Sequence, residues 1–218
     1  MKHPQFILAI DTAYLNALGA KDGLNTHIQL ADFFAGADGH LVIRRRQELE
    51  GNENYLQILP YCLIAKGDID DLKNLRLSAY YRPVSGGESR LHGNLSVGYG
   101  GHVDLADVVF TDKSIVDFSA TVKESSDREL EEEVGLYNAS SIASNHYGLI
   151  TDKSNSVGRV HLGIVHIYIV PENWQADAED SEVDLAGEFT SAELLAKEEA
   201  GEIVMESWTK LIVQSMNA

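Results

Sequence analysis

The sequence predicts a layered domain of mixed strands and helices, α/β or α+β, and three observations carry that reading. Segments with strand character alternate along the chain with segments whose apolar residues recur at helical spacing. The stretch from Val157 to Val170 is apolar at both alternating sets of positions, as a strand covered on both faces must be. Apolar residues make up 44% of the 218 residues, enough for a sizeable core in one domain with an elaboration.

Residues 1–39 read as a short, mainly helical extension, because Asp11–Leu18 and Thr26–Phe34 both place apolar residues at helical spacing. Gly36-Ala37-Asp38-Gly39 is a turn signal, so the main domain is expected to span 40–218. His40–Ile43 reads as a short strand. Arg44-Arg45-Arg46 reads as its solvated end rather than a phosphate contact. Gln57–Ala65 is apolar and β-prone, with Pro60 pointing to an edge or a bulge. Leu75–Arg82 alternates as a second strand, Gly86-Gly87 breaks it, and Asn94–Tyr99 leads into Gly100-Gly101. Val108–Phe118 reads as a hairpin or loop, followed by a helix from about Val122 to Val134. One or two helices are expected from Glu193 to Met216.

Charge narrows the partners. Seventeen basic against 34 acidic residues give a net charge of −17, which argues against a nucleic-acid backbone, since that contact needs clustered Lys and Arg. A small phosphorylated ligand is compatible if a metal ion offsets the repulsion. The one cysteine, Cys62, forms no intrachain disulfide and reads as a packing residue within an apolar run. Phe6–Ile10 is too short for a signal-peptide core or a membrane span, and the expectation is a cytoplasmic protein.

The most informative segment is Thr121–Leu136. Thr121 followed by Glu124 has the capping-box spacing and predicts a helix start, while Gly135 before Leu136 predicts a left-handed stop. Between them Glu129, Glu132 and Glu133 stand at i, i+3 and i+4 and share one face, within an arc of about 100°. Leu130 and Val134 lie on a neighbouring face and can anchor the helix to a sheet. Clustered carboxylates repel one another, and a hard divalent cation that prefers oxygen ligands resolves the conflict. By themselves, three Glu residues more often make a solvated acidic face.

The flanking residues alter that weighting. Arg128-Glu129-Leu130-Glu131-Glu132-Glu133-Val134-Gly135-Leu136 resembles the second half of the Nudix box, G-x5-E-x7-R-E-U-x-E-E-x-G-U with U aliphatic, at every defined position. Gly100-Gly101-His102-Val103-Asp104 resembles the glycine loop that opens the box. Counting from Gly101 reaches Asp107 where the family has its first Glu. Twenty residues then separate Asp107 from Arg128 where the pattern has seven, an insertion of 13. On the helix side that first Glu aligns on Ala120, so Asp107, Asp117 and Asp104 are its candidate substitutes.

The resemblance implies an α/β/α sandwich around a mixed sheet and a Mg²⁺- or Mn²⁺-dependent hydrolase of a phosphoanhydride bond. The expected substrate is a nucleoside diphosphate linked to another moiety. It implies that Glu129, Glu132, Glu133 and the Gly101 carbonyl hold the metal, and that Glu129 or Glu132 works as the base. Arg128 would orient the glutamates through a salt bridge. Arg82, Arg90 and His102 are candidate substrate contacts. Ser125 and Ser126 are small enough to let the glycine loop approach. His161 and His166 read as hydrogen-bonded core residues. Glu179, Asp180, Glu182 and Glu188 are candidates for a further acid from a late loop. A Nudix-fold isomerase, a house-cleaning pyrophosphatase and a ligand sensor without turnover stay open, and a homodimer is the default expectation for the family.

Overall fold

The computed structural model describes residues 5–82, 93–177 and 183–218. They divide into two compact units. The first comprises Met1–Tyr61, Gly100–Arg128 and His146–Val165; the second comprises Cys62–Tyr99, Glu129–Asn145 and His166–Ala218. Neither unit starts at residue 40. The secondary structure is α/β with a mixed sheet, as expected.

In chain order the elements are β1 (Phe6–Asp11), α1 (Thr12–Ala17), β2 (Gly23–Asn25), α2 (Leu30–Gly36), β3 (Leu41–Arg45), α3 (Arg46–Leu49), β4 (Tyr55–Lys66) and β5 (Arg76–Tyr81). There follow β6 (Leu95–Ser96), β7 (Gly98–Tyr99), α4 (Phe118–Val134), β8 (Ser144–Thr151), β9 (His161–Ile169), β10 (Asp184–Phe189), α5 (Ser191–Glu199) and α6 (Ser207–Met216).

The first unit carries the strand order β3-β1-β4-β9-β8-β2. The helices expected at Asp11–Leu18 and Thr26–Phe34 are present as α1 and α2, but a strand precedes them. Phe6–Asp11 is a strand paired antiparallel with β3, Phe6 opposite Arg45, and with β4, Asp11 opposite Tyr55. Ile7, Leu8, Ala9 and Ile10 are all fully buried. Leu8 and Ile10 join the main core with Tyr14, Phe33, Ile58, Val103, Val122, Leu162 and Ile164. Ile7 and Ala9 pack on the other face against Leu49. A short apolar run covered on both faces has no period to read, which is why helical spacing in its neighbours dominated.

The second unit carries the order β10-β5-β4, with β6 added to β5 and β7 to β4. Its core gathers Cys62, Ile64, Tyr80, Tyr99, Leu130, Val134, Leu136 and Tyr168. Cys62 is a buried packing residue, as expected. Pro60 marks no edge: it falls inside the continuous strand β4, between the stretch registered on β1 and that registered on β7. Besides β1, three strands escaped the sequence reading: β2, β8 and the polar β10, whose register shifts between Leu185 and Gly187. Conversely, the strand expected from Val157 starts only at His161, after a 3-10 turn over Gly158–Val160. Among the described residues no helix is long and apolar enough to cross a membrane.

Candidate active site

The glycine loop is set by a close backbone approach. Gly100 has φ +140°, and a Cβ there would stand 2.1 Å from the Pro60 carbonyl oxygen, so only glycine fits. Val103 then ties the loop into the first unit, donating its N–H to the Ile58 carbonyl at 3.2 Å and accepting from Leu8 N–H at 2.9 Å.

Arg128 grips this loop from the long helix. Its Nε donates to Asp107 Oδ1 and its Nη2 to Asp107 Oδ2, both at 2.8 Å, and Nη2 also reaches the His102 carbonyl at 3.2 Å. This is the planar two-bond geometry in which guanidinium and carboxylate match best. Asp107 is buried and takes a further bond from Asp104 N–H at 2.9 Å. Burial opposes its ionisation, but the Arg128 guanidinium outweighs that and holds the carboxyl below its ordinary range. The sequence reading gave Arg128 a salt bridge to the glutamates; the one described here runs to Asp107. The other candidates for the missing first acid are also occupied. Asp104 accepts from Gln5 at 2.8 Å, and Asp117 accepts from Ala120 N–H at 3.0 Å.

The inserted stretch closes on itself. Phe110 pairs with Val116 across a bridge, Thr111 N–H bonds to the Ile115 carbonyl at 2.8 Å, and Asp117 N–H to the Val109 carbonyl at 2.8 Å. Ser114, at φ 59°, takes the left-handed turn position. The hairpin returns the chain to where it left, with Asp117 bonded back to Val109. The helix itself starts earlier than expected. Asp117, not Thr121, is the cap: its carbonyl accepts the first helical bond from Thr121 N–H at 2.8 Å. Thr121 is buried one turn inside, and its hydroxyl accepts from Val109 N–H at 3.0 Å. A threonine with an acid three residues on carries a cap pattern wherever it falls, and the true cap lay within the insertion. The helix ends as expected, with Gly135 at φ 64°.

In the second unit, Leu130 and Val134 are fully buried, while Glu129 and Glu133 are half-buried and Glu132 is exposed. Burial raises the pKa values of Tyr80 and Tyr99, and the Glu133 charge adds to both shifts. Among the described residues, no three His, Cys, Asp or Glu side chains are gathered tightly enough to hold a metal ion. Three carboxylates within two helical turns are nevertheless a donor set of hard oxygens suited to Mg²⁺ or Mn²⁺, on side chains long enough to rearrange.

The remaining candidates divide. His102 is half-buried, its Nε2 lying 2.8 Å from Gln57 Oε1 and 3.2 Å from His161 Nε2. Burial, helped by the Arg46 and His161 charges, pushes its pKa down to about 3. Arg82 pairs with the buried Glu206 at 3.1 Å and lies over the Tyr80 ring, 5.4 Å from its centroid. Glu188 lies on β10 rather than a loop and pairs with Lys66 at 2.5 Å. Ser125 and Ser126 are buried, and Ser126 donates to the Val122 carbonyl at 2.8 Å. Arg90, Glu179, Asp180 and Glu182 lie outside the described residues. A cavity of about 190 Å³ in the first unit, lined by Thr12, Leu15, Lys21, Leu56, Thr151 and Arg159 among others, contains none of the box residues.

No family model matches the chain. It is 30% identical to Protein YmaB of Bacillus subtilis (strain 168) over 185 residues, covering 85% of this chain and 82% of YmaB. Among solved structures it is similar to Tm1382, assigned to the Nudix hydrolases, with a TM-score of 0.70 and 24% identity over 97% of this chain and 98% of that one. The Nudix hydrolase of Alicyclobacillus acidocaldarius follows with a TM-score of 0.52 and 12% identity, over 74% and 90% of the two chains. The chain belongs to one family with Protein YmaB, and its fold is that of the Nudix hydrolases. A hairpin parts the two halves of its box.

Proposed function

We propose that this Nudix-fold protein hydrolyses a phosphoanhydride bond in a nucleoside diphosphate linked to another moiety, with Mg²⁺ or Mn²⁺ held by Glu129, Glu132 and Glu133 and, by the box pattern, the Gly101 carbonyl. One observation supports this above the others. Although 20 residues separate Asp107 from it, Arg128, the first residue of the box's helix half, bonds both Asp107 and the His102 carbonyl of the glycine loop within the first unit. An insertion that merely disrupted the motif would leave Arg128 without this partner.

The cation supplies charge neutralisation on the phosphates and a lowered pKa for the attacking water. Glu129, half-buried on the helix, accepts the proton from that water as general base. Glu132 and Glu133 provide the remaining carboxylate charge. Arg128 works through position: it fixes the glycine loop against the helix and touches no substrate.

The test is turnover in Mg²⁺ on nucleotide sugars, dinucleoside polyphosphates, ADP-ribose, dinucleotide cofactors and nucleoside triphosphates. Glu129→Gln should lower kcat by about 10²–10⁴-fold, the range of general acid–base catalysis. Mg²⁺ should raise the melting temperature of the wild type, by linkage to the folded state. That rise should vanish in Glu132→Gln/Glu133→Gln. Turnover surviving in the double variant would sink the metal assignment. Tight binding of one compound without turnover would assign the chain a ligand-binding role instead.

A further inference from the structure

The cavity of about 190 Å³ in the first unit holds no box residue, and its lining has a chemistry of its own. It is built where β2 pairs with the end of β8, Gly23 opposite Thr151. The buried Asn25 fixes the chain ahead of β2. Its Oδ1 accepts from Lys21 N–H and its Nδ2 donates to the Lys21 carbonyl, both at 2.8 Å. Lys153 N–H donates to Asp22 Oδ1 at 2.8 Å, which ties the loop after β8 to the same place. Gly158 closes that loop, since a Cβ there would stand 2.0 Å from the Asp152 carbonyl oxygen. Lys21 and Lys153 therefore line the cavity from fixed backbone positions.

The charges of the lining are unevenly matched. Both of its acids are engaged, Asp22 by Lys153 N–H and Glu53 by Arg159 at 2.9 Å. Lys66, Lys123, Lys197 and Lys210 each pair with a carboxylate, whereas Lys21 and Lys153 make no ion pair among the described residues. Both are exposed. In a chain of net charge −17, two ammonium groups without a carboxylate partner beside one cavity form a local site for an anion from outside.

The rest of the lining selects what the anion is attached to. Leu15 and Leu56 are buried and supply an apolar wall. The Thr12 hydroxyl donates to the Asn54 carbonyl at 3.3 Å and the Thr151 hydroxyl to the Lys21 carbonyl at 3.5 Å. Each oxygen keeps a lone pair that can accept from an O–H group. A sugar presents C–H and O–H surfaces together, as this wall requires. The volume lies below the roughly 300–1,000 Å³ of pockets for drug-sized ligands, so the ligand is smaller than a nucleotide.

We propose that this cavity is a second binding site, for a small phosphate monoester on a hydroxylated body, of the size of a pentose phosphate. Lys21 and Lys153 meet the phosphate as point charges. Thr12 and Thr151 accept from its hydroxyls, and Leu15 and Leu56 pack on its carbon face. The site is independent of the hydrolase reading, because neither the metal nor the box glutamates take part in it.

Isothermal titration of the full chain in EDTA, with ribose 5-phosphate as the probe, tests it. Saturable binding is expected, with a Kd of about 1 mM or below. Inorganic phosphate and ribose should each bind about tenfold more weakly or worse, as each lacks one half of the contacts. Lys21→Ala/Lys153→Ala changes two exposed side chains and should weaken ribose 5-phosphate binding by about tenfold or more. Glu132→Gln/Glu133→Gln should bind it as the wild type does. An absence of saturable binding, an affinity unmoved by the lysine changes, or an equal affinity for ribose or inorganic phosphate would overturn the proposal. Loss of binding in the glutamate variant would overturn it too, since the ester would then sit at the box. Turnover by the wild type bears on none of these outcomes, so the hydrolase reading and this one fail separately.

Discussion

Arg128 and Asp107 show how a residue can keep its pattern and acquire its meaning from a partner. The arginine sits at its box position, while the aspartate lies across a hairpin at the site of the family's first glutamate. Because Asp107 is buried and Arg128 mostly so, losing the acid leaves a partly desolvated cation. Asp107→Asn should destabilise the chain by about 2 kcal/mol, the range for hydrogen bonds to charged groups. The folded pKa of Asp107 is depressed below its ordinary 3.8. Its contribution is therefore complete above that value and is lost as pH falls through the lower folded one. Urea denaturation should show the wild-type advantage over the Asn variant intact near neutral pH and closing as pH falls below 3.8. An advantage that persists unchanged into acid would mean that the charge on Asp107 is not what matters.

Among the elements, α4 is where local signals and structure diverge most usefully. Its apolar stripe, acidic face and glycine stop all stand in the sequence, and the structure realises each. Its start does not, because Asp117 becomes a cap only once the hairpin has delivered it. Asp117→Ala should cost about 1 kcal/mol as a lost N-cap, whereas Glu124→Ala, at the acid of the Thr121 pattern, should change stability by under about 0.5 kcal/mol. The reverse order in thermal unfolding would restore the cap to Thr121. The glycine loop makes a sharper prediction. Gly100→Ala meets the Pro60 carbonyl at 2.1 Å and a positive φ together, and it should impair folding far more than an ordinary surface substitution. Soluble yield and melting temperature measure the effect.

At the scale of the whole molecule, each compact unit has a core of its own, and the N-terminal strand belongs to that of the first unit as much as any later strand does. The net charge of −17 spreads over a fold whose described cations are largely committed to ion pairs, such as Arg76 with Glu172 and Lys210 with Glu198. Self-repulsion of the excess acid should be screened by salt. Raising NaCl from about 10 to 300 mM should stabilise the chain by about 1 kcal/mol, or roughly 2–4 °C in melting temperature at this size. A melting temperature that falls with salt would show that attractive pairs dominate instead.

The sequence by itself determined the α/β class, the acidic-helix pattern, the glycine that ends that helix and the likeness to the Nudix fold. Those features are local in spacing or carried by near neighbours, so periodicity and motif suffice to read them. Only the tertiary structure decided which acid meets Arg128, what caps the helix, that Phe6–Asp11 is a core strand and that Gln57, His102 and His161 meet. Each of those depends on residues far apart in the chain, as with Gln57 and His102, 45 residues apart, or Asp107 and Arg128, 21 apart. A hydrogen bond between distant residues leaves no periodic trace in either segment. The segment Arg128–Leu136 pointed to the fold, and the tertiary structure supplied its partners.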